Sequence, residues 1–127
     1  MREHFFFDYA IVRVVPRVER GEFVNAGVIL FSSTAAYLQS KIALDDARLR
    51  ALSPETDAAG VQMYLDLIPR ICAGGADAGP IGALPQRARF HWLVAPRSTI
   101  IQTSPMHTGV AEDLDDALVR LFEKFVR

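Results

Sequence analysis

Two polar cassettes interrupt an otherwise apolar chain: Arg20-Gly21-Glu22-Phe23-Val24-Asn25-Ala26-Gly27, and Ala95-Pro96-Arg97-Ser98-Thr99 running on to Ser104-Pro105-Met106-His107-Thr108-Gly109. Arginine forks, hydroxyls and an imidazole are the groups that suit phosphate or carboxylate, so an oxyanion-type constellation is the chemistry to weigh. Its members are Arg20, Asn25, Arg97, Ser98, Thr99, Ser104, His107 and Thr108. Arg13 joins them, since an arginine on an aromatic strand face needs a partner or a sheet edge. The competing reading of the same residues is structural. Arg20-Gly21 would be a turn, Asn25 and Gly27 a bulge, Pro96 and Pro105 breaks, and Arg97 a tie between loops through carbonyls. Both readings stay open at this point.

Other chemistries find less support. Metal binding needs converging ligands, and His4, His91 and His107 are far apart, with Cys72 as the one cysteine and no His-Glu-x-x-His or Cys-x-x-Cys. No metal and no cofactor is expected. A serine nucleophile would want a Gly-x-Ser-x-Gly elbow, whereas Ser98 stands in Pro-Arg-Ser-Thr. A two-histidine phosphoesterase needs a pair of His-x-Ser/Thr motifs, and His107-Thr108-Gly109 supplies one histidine at the wrong spacing.

The elements that must position these groups follow from periodicity. Phe5 to Val15, rich in aromatic and β-branched residues, reads as a strand with Phe7, Tyr9, Ile11 and Arg13 on one face and Ala10, Val12 and Val14 on the other; both faces look covered. Pro16 ends it, and a short connection leads to a second strand, Phe23 to Phe31, on which Asn25 and Gly27 share a face. Ala36 to Ile42 completes an antiparallel meander. Asp45 or Asp46 caps a short helix through Leu52, and Ser53-Pro54-Glu55 signals the start of a longer one. On that helix Val61, Tyr64, Leu65, Ile68 and Cys72 fall at helical spacing, with Pro69 kinking or truncating the end. The glycine-rich run 73–80 is expected to be a C-cap and a flexible surface loop. A small helix from about Pro85 to Val94 buries Phe90 and Leu93, Thr99 to Thr103 forms a fourth strand, and Leu114 to Phe125 forms an amphipathic helix with an acidic N-terminal cap. The expected class is α+β: a mainly antiparallel sheet, an N-terminal three-strand meander plus one later strand, with helices packed on one face.

Composition bounds the partners. The 127 residues suit one domain spanning 1–127, and a 50% hydrophobic composition is enough for a core. Fourteen basic residues nearly balance fifteen acidic ones, so general nucleic-acid binding is disfavoured. A lone cysteine excludes an intramolecular disulfide and suits a reducing cytoplasm, and no stretch approaches the ~20 apolar residues of a membrane span.

Tyr9 to Pro16, Arg20 to Val28, Arg70-Ile71-Cys72-Ala73-Gly74, and Arg89-Phe90-His91-Trp92-Leu93-Val94-Ala95-Pro96-Arg97-Ser98 through Pro105-Met106-His107-Thr108-Gly109 carry a resemblance. In these stretches the sequence resembles the bacterial domain-of-unknown-function family 3037, over nearly the whole chain. The resemblance implies no reaction, cofactor or catalytic set. It implies a partner by genomic adjacency alone, a kinase of the HipA toxin type. Small size, polar loops and the lack of a catalytic signature lead to one expected function and one alternative to it. The expected one is a small protein-interaction or regulatory module; the alternative is an enzyme or sensor that binds a phosphorylated small molecule or nucleotide through the Arg/His/Ser cluster.

Overall fold

The protein is described here by a computed structural model covering residues 3–127. Five strands, β1 (Phe5–Val14), β2 (Val24–Ser32), β3 (Tyr37–Ile42), β4 (Ile101–Thr103) and β5 (His107–Ala111), build one antiparallel sheet. Four α-helices pack around it: α1 (Asp46–Leu52), α2 (Ala58–Ala73), α3 (Gln86–Val94) and α4 (Leu114–Phe125). The class is α+β and the meander β1–β2–β3 is the expected one. The strand order is β3-β2-β1-β4, and β5 pairs with β1 as well.

Helices cover both faces of the sheet, where the sequence suggested one. Val12, Val14, Ile29 and Phe31 meet α2 and α3 in one core, while Phe7, Ile11, Val28 and Leu30 meet α4 in another. The cause lies in the strands. Alternate residues of β1 point to opposite sides, and both sets are apolar, so neither face is stable in water. The amphipathic α4 covers the second face with Leu114, Leu118 and Phe122.

β5 is an addition to the expected strands. β4 runs along Val12–Val14 and β5 along Phe5–Tyr9, so together they make one interrupted edge of the sheet. At the break, the Ser104 N–H donates to the Ile11 carbonyl at 2.8 Å and its hydroxyl accepts from the Ile11 N–H at 2.9 Å. That side chain replaces a ladder bond where the chain turns aside at Pro105, which has no N–H to give. Gly109 then lies over the Phe7 ring so closely that a Cβ would come within 2.5 Å of it, a contact only glycine allows.

Helix starts and stops differ from expectation in instructive ways. Asp45 caps α1 by accepting from the Arg48 N–H at 3.0 Å, as its acid suggests. Ser53, however, is the buried C-terminal cap of α1, and α2 begins later, where Asp57 accepts from the Gly60 N–H at 3.1 Å. Pro69 does not truncate α2, because Ile71 and Cys72 beyond it are buried in the core and hold the last turn in place. The glycine-rich run is two 3-10 turns within Ala76–Ala83, broken at Gly79 and closed by the Gly75 N–H donating to Gly82.

Burial in this core pushes the Cys72 thiol up from about 9 to about 11, against weaker opposing pulls from the Ser40 hydroxyl and then from Arg89. Burial and then its bond to Asp115 also raise the Tyr37 phenol. Both groups hold a proton in the folded state that the unfolded chain has already lost. Stability is therefore fully present below pH ~9 and declines as pH rises towards ~11. The melting temperature should be flat from neutral pH to about 9 and fall above it. Cys72→Ala should flatten the first part of that fall in a pH series.

Candidate functional site

A cavity of about 630 Å³ opens between α2, α3 and the segment leading into β4. Tyr64, Leu67, Ile68 and Ile71 form one wall, Trp92 and Leu93 the other, and Arg97 to Thr103 with Val18 complete it. Helical spacing produces this wall: 64, 67, 68 and 71 share a stripe of α2, whose inner edge (Ile68, Ile71) belongs to the core and whose outer edge is open. Leu67 is 42% exposed, Trp92 41% and Ile100 44%, so large apolar side chains face water along the groove. Water-exposed apolar surface of this concave kind is where ligands and partners bind.

Arg97, Ser98 and Thr99 come together at this groove. Arg97 follows α3 and folds back on it, donating from Nη1 to the Leu93 carbonyl at 3.0 Å and from Nη2 to the Trp92 carbonyl, with its guanidinium 4.5 Å from the Trp92 ring centre. It closes the C-terminal end of α3, whose last carbonyls lack helical partners. Thr99 Oγ1 donates to the Ile101 carbonyl at 2.9 Å.

The other candidates lie elsewhere. Asn25 and His107 belong to the α4 side of the sheet: Asn25 Nδ2 donates to the Phe125 carbonyl at 3.0 Å, and the His107 ring lies 5.4 Å from that of Tyr9. A bulge sets Asn25 there. It stands opposite Arg13 while Gly27 stands opposite Val12, leaving Ala26 as the extra residue, so Asn25 and Gly27 fall on opposite faces and do not share one. Arg13 stacks on Phe23 at 4.2 Å; its buried Nε and the buried Oδ1 of Asn25 have no hydrogen-bond partner among the described residues. Ser104 is buried in the sheet break, and Thr108 is exposed opposite Asp8 on β5. Arg20 ends an exposed 3-10 turn, Val18–Arg20, and pairs with Glu22. The sheet thus divides the constellation. Among the described residues no group of three or more His, Cys, Asp or Glu side chains could hold a metal ion, and no helix is long and apolar enough to cross a membrane.

One residue outside the expected set does more structural work than any in it. Arg89 of α3 donates from Nη1 to the carbonyls of Ile71 at 2.8 Å and Cys72 at 2.7 Å, and from Nε to Leu84 at 3.0 Å. It thereby closes the end of α2. Gly74 makes room for it: with φ of 77° and ψ of −178° it takes an extended positive-φ conformation that side chains rarely adopt, and a Cβ there would come within 2.9 Å of the guanidinium. The stretches Arg70 to Gly74 and Arg89 to Ser98 therefore meet as one joint. Arg89→Lys should cost about 2 kcal/mol in chemical denaturation, since one ammonium cannot serve three carbonyls fixed around a fork. A loss below about 0.5 kcal/mol would show that the joint holds without it.

Residues 9–126 match a family model described as protein of unknown function (DUF3037). No curated protein and no solved structure matches the chain.

Proposed function

From a chain that belongs to the DUF3037 family, we propose a protein-interaction module that receives apolar side chains of a partner in the groove between α2 and α3. The observation that carries this reading is the groove itself, a concavity of about 630 Å³ with Leu67, Trp92 and Ile100 open to water along it. Interfaces are anchored by aromatic and aliphatic groups seated in such concavities, with polar groups around them. The alternative, catalysis or sensing at a phosphorylated small molecule, would want arginines and an imidazole around one point. Arg97 instead stands as the one arginine of the groove, and His107 belongs to the opposite face of the sheet.

The partner that we propose is a HipA-type kinase, on the genomic adjacency that the family resemblance implies. Co-expression followed by size-exclusion chromatography tests it. Co-elution at micromolar concentration is the expected result, and two independently eluting proteins would overturn the choice of partner.

A further inference from the structure

We propose that the segment taken by the groove is acidic as well as apolar, with a side-chain carboxylate of the partner peptide set against Arg97. This rests on the interaction-module reading and adds the chemistry of the occupant. Arg97 is the one charged residue in the lining, and among the described residues no Asp or Glu lines the groove. Its guanidinium is held in place by two carbonyls and the Trp92 ring, which leaves its other N–H groups unspent. An apolar segment laid across the groove strips water from those groups, and desolvating a charged donor without giving it an acceptor is costly. A carboxylate on the same segment removes that cost, and a fork already fixed in position loses little freedom in binding it.

The local backbone also speaks for recognition through side chains. Thr99 Oγ1 already occupies the Ile101 carbonyl, at the strand bordering the groove, so pairing of an added strand along β4 meets an acceptor that is in use. The selectivity is then carried by apolar anchors and by the sign of the charge beside them.

Trp92 is the only tryptophan of the chain and lines the groove, so its emission reports occupancy directly. The full chain is titrated with three pools of capped hexapeptides of identical leucine and phenylalanine content, which differ only in carrying Glu, Gln or Lys. The Glu pool should shift Trp92 emission saturably, and the Gln pool should bind about tenfold more weakly, the loss expected for one charge-assisted hydrogen bond. The Lys pool should bind more weakly still. Because Arg97 closes a helix, the charge test leaves the chain intact and varies ionic strength: the advantage of the Glu pool over the Gln pool should shrink several-fold between low and about 1 M salt, while binding of the Gln pool holds. Equal binding of the Glu and Gln pools, or an advantage of the Glu pool that salt leaves unchanged, overturns the acidic occupant and leaves the interaction module standing. No shift from any pool, with the kinase still co-eluting, also overturns it and moves the docking surface off the groove.

Discussion

Phe90→Ala is expected to lower the unfolding free energy by about 3–5 kcal/mol, a large share of what a domain of this size has. Phe90 is 0% exposed and stacks on Phe31 at 4.9 Å between centroids with 24° between the rings. It is the bolt between α3 and the sheet. Truncation removes the apolar area and leaves a void that α3 cannot close, because Arg89 and Arg97, just before and beyond it, fix the helix to α2 and to its own last carbonyls. Urea unfolding of the variant should show a lower midpoint with an unchanged slope, and Phe90→Leu should cost only about 1–1.5 kcal/mol. A cost below about 1.5 kcal/mol for the alanine variant would mean that α3 does shift to fill the space. The groove, whose second wall is α3, should then change shape in the same variant.

The class and the meander were legible because local pattern decides them. The aromatic and β-branched richness of Phe5 to Val15 and the i, i+3, i+4 stripe of Leu114 to Phe125 each point to one structure only. The apolar character of both faces of β1 was visible too, and it already demanded cover on two sides; the division of helices between the faces follows from it. What local pattern does not carry is a contact between distant segments. β5 reads as a loop because Pro105 precedes it and Gly109 interrupts it, yet that glycine is required by the Phe7 ring about a hundred residues earlier in the chain. Nothing in the local pattern of the small helix tells that Arg89 meets the end of α2. Ser53-Pro54-Glu55 has the composition of a helix start, but burial of Ser53 against α1 hands that role to Asp57. The candidate site shows the same limit. Arg97, Ser98 and Thr99 reach the groove together because they adjoin in the chain, whereas their separation from Asn25 and His107 is set by strand order and by a bulge at Ala26, neither of which periodicity encodes.

Leu67→Glu should abolish co-elution with the partner, weakening binding by about 30-fold or more, the scale of a lost hot spot of 2 kcal/mol. Leu67 lies in the open half of the α2 stripe, 42% exposed, so a carboxylate there remains hydrated in the free protein and the melting temperature should stay within about 2 °C of the parent. In the complex the same carboxylate would be buried among apolar groups and set against the partner's own carboxylate, a cost paid only on binding. His107→Ala serves as the matched control, because its ring lies beside Tyr9 on the far side of the sheet. It should leave both binding and stability nearly unchanged. Were the pattern reversed, with His107→Ala losing the partner and Leu67→Glu keeping it, docking would belong to the α4 face, where Tyr9, Arg13, Asn25 and His107 gather, and the groove would be a feature of packing alone.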